Sequence, residues 1–337
     1  MMNRHKMRLN VYIVGLLLLF SPAISFATSS DEESAKSYLE EANELNKLRR
    51  YDEAIAKLTQ AVELSLETHK YHQALVMTSL ATRQGPKAIL YYKKMAQEHP
   101  KSATVRYWLG RLYLESRALE DSVREFQEAA RLAPSDEHAF ISLGHVYLRM
   151  GKEKEALNAY LQANKLTPRV AVVHAGIGNI YFNRKDFAKA EKEFEEALKL
   201  DASLTEARYN LSLIYEKKGE FSKAVGQWKT LLEEDPNESR ARERLARIYF
   251  RGEQYQDAVR EYSTLSTVKQ NSPEIFFALG EAQIMLAATL TDPDQQVQLK
   301  KSAVESFKRT LELDPQNSRA RKYLDRLASS KDSAQKK

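Results

Sequence analysis

Three observations in this 337-residue chain predict an all-α fold, a solenoid of antiparallel helical hairpins. A pattern of small and large residues returns every 34 positions, each period holds two stripes at helical spacing, and glycine or proline separates the stripes. Numbered 1 to 34, the units span 35–68, 69–102, 103–136, 137–170, 171–204, 205–238, 239–272 and 273–317, the last with an eleven-residue insertion. A fixed period of this kind overrides the two or three globular domains that the length alone would suggest. Hydrophobic residues at 43% and charged residues at 29% supply an ordered core and exclude extended disorder as the state of most of the chain.

The N-terminus opens with Arg4, Lys6 and Arg8, continues as an apolar run from Val11 to Phe20, and ends in Ser25-Phe26-Ala27. A basic start, an apolar centre and a small-x-small end are the three regions of a secretory signal peptide, here 1–27, with cleavage expected after Ala27. The alternative is an N-terminal membrane anchor facing the periplasm. The unbroken run is about half of the ~20 residues that span a bilayer, and Pro22 follows it. A linker, 28–34, leads into the first unit.

In the first helix of each unit, position 7 carries Leu109, Leu143, Ile177, Leu211 and Leu245, position 8 carries Gly110, Gly144 and Gly178, and position 11 carries Tyr113, Tyr147, Tyr181, Tyr215 and Tyr249. Spacings of one, three and four place them on one helical face. Gly151 and Gly219 mark the turn. In the second helix, position 20 is small (Ala54, Ala88, Ser122, Ala156, Ala190, Ala224, Ala258) and position 24 is large (Leu58, Tyr92, Phe126, Tyr160, Phe194, Trp228, Tyr262). Small residues facing large ones let two antiparallel helices approach, and Pro134, Pro168 or Pro236 ends the pair.

This skeleton resembles the tetratricopeptide repeat (TPR), and the resemblance covers residues 35 to about 317. It implies a right-handed α-solenoid, the TPR superhelix. The sequence departs from the family at Glu41, a charge at apolar position 7 that suits an end cap, at Ser79 and Gly85 in the second unit, and at Arg106, Arg208 and Arg242, which occupy a usually apolar position 4. In the eighth unit Asp292-Pro293 reads as an N-cap and first-turn pair that starts a lengthened second helix. Ala320, Tyr323, Leu324 and Leu327 then form the stripe of a cap helix, 318–327, before a disordered tail, 328–337.

Cysteine is absent, which removes disulfides, thiol nucleophiles, thiolate metal sites and a lipidated cysteine. The signal segment contributes three of the formal +6 charges, so the basic balance gives no argument for a nucleic acid partner. The chain holds no glycine-rich phosphate loop, HExxH or GxSxG. His69 and His72 have a metal-ligand spacing without a third convincing ligand and read as surface or packing residues. No catalytic residue, metal or cofactor is expected; the chain reads as a non-enzyme.

The resemblance implies that the first helices line a concave groove where ligand peptides dock. The candidate groove residues are Tyr107, Trp108, Arg111, Ile141, His145, Arg149, Asn179, Phe182, Asn183, Tyr209, Asn210, Arg247, Phe250 and Arg251. An apolar lining with a basic accent points to another envelope protein or peptide segment with acidic and apolar side chains. The expected role is an exported, periplasmic scaffold without stable membrane insertion after signal cleavage, with pilus, secretion, outer-membrane or exopolysaccharide assembly as family settings. A polysaccharide-binding module and the regulatory subunit of an envelope enzyme are the alternatives.

Overall fold

The computed structural model describes residues 28–334, with side chains to Ser329. The segment read as a signal peptide, and its cleavage point after Ala27, lie outside the described residues. The secondary structure described is helical throughout: seventeen helices, arranged as paired hairpins. The chain divides into two compact units that meet between Lys152 and Glu153, in the turn of the fourth repeat.

The first unit contains α1 (Ser29–Lys47), α2 (Tyr51–Leu64), α3 (His69–Ala81), α4 (Gly85–Glu98), α5 (Ala103–Glu115), α6 (Leu119–Leu132) and α7 (Glu137–Arg149). The residues expected as a linker belong to α1. Thr28 caps that helix, its hydroxyl accepting from the Asp31 amide while the Asp31 carboxylate accepts from the Thr28 amide at 3.1 Å. This reciprocal cap satisfies amides that would otherwise lie unpaired, so the helix starts six residues before the repeat phase.

The second unit contains α8 (Glu153–Leu166), α9 (Ala171–Asn183), α10 (Phe187–Leu200), α11 (Thr205–Lys218), α12 (Phe221–Glu234), α13 (Ser239–Arg251), α14 (Tyr255–Val268), α15 (Pro273–Thr289), α16 (Pro293–Leu313) and α17 (Ser318–Ala334). The insertion lengthens α15 and α16, and Asp292 caps α16 by accepting from Asp294 at 2.9 Å. The cap helix docks as its stripe requires: Ala320 is buried and Tyr323 stacks on Phe307 at 4.7 Å. It runs to Ala334 instead of ending at Leu327, because Ala328 to Ala334 contain neither glycine nor proline to stop it.

Each hairpin closes around the small–large contact. A Cβ on Gly110, Gly178 or Gly280 would sit 2.7–2.9 Å from the ring of Phe126, Phe194 or Phe307, so position 8 is kept clear for the aromatic of the facing helix. Phe194 and Trp228 are fully buried, whereas Tyr181 is half-buried, with the Lys189 ammonium 5.2 Å from its ring.

The arginines at position 4 have a common arrangement. Arg106, Arg208 and Arg242 reach across to position 23 of the second helix, to Glu125 at 3.0 Å, Gln227 at 3.0 Å and Glu261 at 2.6 Å. Each donates a further bond to a carbonyl near the end of the preceding unit: Ala96, Ala202 or Pro236. Tyr107 and Tyr209, one residue on, supply the apolar packing, Tyr209 edge-on to Trp228 at 5.0 Å.

Candidate functional site

In the first unit the N-terminal halves of α3, α5 and α7 bring together His69, Tyr107, Trp108 and His138. The His69 ring lies 5.4 Å from Tyr107, 6.0 Å from Trp108 and 6.1 Å from His138. The Trp108 indole donates to Nδ1 of His69 at 3.2 Å. Burial lowers the pKa of His69. His138 hydrogen-bonds the Asp136 carboxylate at 2.6 Å; burial opposes the charged forms of both, yet the bond and the opposite charge raise His138 and lower Asp136.

This cluster is closed packing. Tyr107, Trp108 and Ile141, expected to face a groove, are all buried. Position 6 tolerates Trp108 because the neighbouring helix presents His69, whose ring nitrogen accepts the indole N–H. No pair of metal ligands forms at His69 and His72. His72 donates from Nε2 to the Leu66 carbonyl at 2.6 Å, which can only accept, so its Nδ1 takes the Tyr92 hydroxyl proton at 2.8 Å and neither nitrogen is left to ligate. Asp136, Glu137 and His138 bring ligand atoms within 4.8 Å of one another, and Oδ1 of Asp136 caps α7 by accepting from the His138 amide at 3.0 Å.

The second unit presents a different surface. Asn179 of α9 and Asn210 of α11 stand side by side, the Asn210 amide donating to the Asn179 carbonyl oxygen at 2.8 Å. Arg247 and Asn183 are exposed on the same set of first helices, and Phe182 is half-buried. Arg240 lies 4.9 Å over the Tyr209 ring, and Arg244 faces Glu216 at 3.6 Å. In the first unit Arg149 and His145 are exposed and Arg111 is half-buried. Of the expected residues, only Asn179 and Asn210 are joined to each other by a described hydrogen bond. Phe250 packs on Tyr255 at 5.6 Å, and Arg251 lies in a cleft beside Phe221.

A 34-residue period built into helical hairpins agrees with what known proteins show. Profiles described as TPR or tetratricopeptide repeat match residues 79–143, 137–169, 178–219 and 206–283. The chain is a tetratricopeptide repeat protein. TPR repeat proteins are typically non-enzymatic binding scaffolds that take protein or peptide partners. Comparison with curated protein sequences gives no match.

Among solved structures this TPR chain is similar to the C-terminal part of a TPR repeat-containing protein from Cytophaga hutchinsonii (18% identity, TM-score 0.57, covering 76% of this chain and 99% of that one). It is similar to Pseudomonas aeruginosa PilF (17%, TM-score 0.53, 65% and 99%) and to YrrB, a TPR protein with an unusual peptide-binding site (17%, TM-score 0.50, 58% and 95%). It also matches the APC/C assembly Cut9–Hcn1 at 16% identity and a TM-score of 0.50, covering 89% of this chain and spanning 57% of that one. At these identities the likeness is one of fold.

Phe221 and Lys229, which line the same cleft as Arg251, are not among the residues expected from the sequence. The available signal was Glu216, which stands at position 12 where the fifth and seventh repeats have Phe182 and Phe250.

Proposed function

We propose that this TPR protein is a non-enzymatic scaffold, exported to the cell envelope, that holds a segment of another envelope protein on the first-helix face of its second unit. The observation that carries this reading is the Asn179–Asn210 pair. Each amide spends one group on the other and keeps a second, so together they offer a donor and an acceptor to an extended peptide backbone. Arg247, exposed at the same repeat position as Asn179 two repeats on, adds a cation for acidic side chains or a C-terminal carboxylate. A peptide-binding site described for YrrB, a protein of the same fold, supports the choice of ligand class.

Export rests on the N-terminal sequence, and the capped turn at Thr28 agrees with it, because cleavage after Ala27 leaves that turn whole. Among the described residues no helix is long and apolar enough to cross a membrane. Pilus, secretion, outer-membrane and exopolysaccharide assembly are the settings in which such a scaffold would act.

A photo-crosslinking residue at Asn183 tests the binding reading in intact cells. The expected product is a protein adduct that is lost when Asn179→Ala, Asn210→Ala and Arg247→Ala are combined. A glycan adduct, or a protein adduct that survives the triple substitution, overturns it. N-terminal sequencing of the purified protein should begin at Thr28; an intact Met1 on membrane-bound protein overturns cleavage and favours the N-terminal anchor.

A further inference from the structure

The aromatic at position 17, the first residue of a second helix, is covered in the fifth and seventh repeats and bare in the sixth. Phe187 packs edge-on against Phe182 at 5.7 Å and carries the Lys217 ammonium of the next repeat at 5.4 Å from its ring. Tyr255 packs against Phe250 at 5.6 Å. In the sixth repeat position 12 is Glu216, which turns away to accept from the Trp228 indole at 2.9 Å and to face Arg244. Phe221 therefore loses its ring partner and is 43% exposed.

The space opened beside it is a cleft of about 620 Å³ between α12, the end of α13 and the start of α14. Phe221 and Val225 form one apolar wall, with Ile248 and Tyr249 opposite. Arg251 occupies the register of Lys217, one repeat on, and Lys229 stands at the cleft as well. Neither cation has a carboxylate partner among the described residues, whereas Asp257, the one acid lining the cleft, is paired with Arg260 at 2.8 Å.

We propose that this cleft is a second docking site, distinct from the first-helix face, for a partner segment that carries an aromatic side chain next to carboxylates. The incoming ring takes the place that Phe182 and Phe250 fill in the adjacent repeats, and Lys229 and Arg251 receive the acidic groups. An apolar wall flanked by unpaired cations selects that combination. Residues 1–27 contain no Asp or Glu, and residues 335–337 are Gln-Lys-Lys, so neither segment carries that combination.

The full chain is titrated by fluorescence anisotropy with a labelled octapeptide, Gly-Glu-Asp-Phe-Glu-Asp-Gly-Ser, and with the same peptide bearing Ala for Phe. The Phe peptide should bind about tenfold or more tightly than its Ala counterpart, and more weakly as salt rises. Phe221→Ala, and separately Lys229→Glu with Arg251→Glu, should each weaken the Phe peptide by about tenfold or more with melting unchanged, because all three side chains are exposed. Asn179→Ala with Asn210→Ala should leave this binding intact, which separates the cleft from the site proposed on the first helices. Failure of both peptides to bind, binding indifferent to the cleft substitutions, binding lost only with the asparagine pair, or self-association through Phe221 in light scattering each overturns the proposal.

Discussion

Position 4 of the repeat shows how one residue can turn an apolar site polar without loss of order. His72 is buried with both ring nitrogens bonded, and His174 holds Glu193 at 2.8 Å in the same place that Arg106 and Arg242 hold their glutamates. Burial pushes the His72 imidazole down to about 3, with the neighbouring His69 acting in the same direction and the Leu66 carbonyl against it. The unfolded chain accepts that proton near pH 6.5 and the folded chain refuses it. Stability from this residue is therefore full above pH 6.5 and declines as pH falls toward 3, at up to about 1.4 kcal/mol per pH unit. Urea denaturation at a series of pH values should show that slope in the parent. His72→Leu should be less stable at pH 8, where it leaves the Tyr92 hydroxyl and Leu66 carbonyl unpaired, and its stability should fall less steeply between pH 6 and 4. An unchanged slope would remove His72 as its source.

The turn between the two helices of a repeat is the most regular element. Position 15 has positive φ in all seven repeats that keep the ordinary turn: Arg49, Arg83, Arg117, Gly151, Lys185, Gly219 and Glu253. The amide at position 16 donates to the carbonyl at position 11 each time, as Asp186 does to Tyr181 at 2.9 Å and Glu220 to Tyr215 at 2.9 Å. This closes the first helix with a 6→1 bond and fixes the reversal. The left-handed conformation costs an L-residue roughly 1 kcal/mol, of which glycine returns part through its freer unfolded chain. Lys185→Gly should thus stabilise by between zero and about 1 kcal/mol, and Gly219→Ala should destabilise by about 1 kcal/mol, in thermal or chemical denaturation. The two glycines made the turn readable at Gly151 and Gly219. At Arg117 or Lys185 no local propensity announces it, and only the period locates it.

Across a stack of hairpins, the packing runs between helices that follow one another in sequence, α9 on α10, α10 on α11 and so on through the second unit. Such an array stores its stability in nearest-neighbour contacts. Phe194 joins α9 and α10 and belongs to the cluster that continues through Trp228 to Tyr262. Phe194→Ala should cost ~3–5 kcal/mol. Hydrogen exchange read by mass spectrometry should speed most in α9 to α11 and fade toward α15 and α16. Uniform acceleration of the whole second unit would show that it unfolds as one block.

The sequence by itself determined the period, the helical hairpin, the small–large contact and the phase of the core, because these follow from spacing and side-chain size repeated in register. It placed Phe194, Trp228 and Ala190 inside for the same reason. The tertiary structure decided which polar side chains stay available to a ligand, because that depends on what an adjacent helix presents. Trp108 left the candidate site when His69 met its indole, and Arg242 was tied to the second helix of its repeat when Glu261 reached it. Asn179 and Asn210, 31 residues apart in sequence, became one feature through the stacking of α9 and α11. Phe221 was uncovered by a neighbour that turned away: Glu216 could be seen in the sequence as a departure from the repeat, but its bond to Trp228 exists only once the helices have packed.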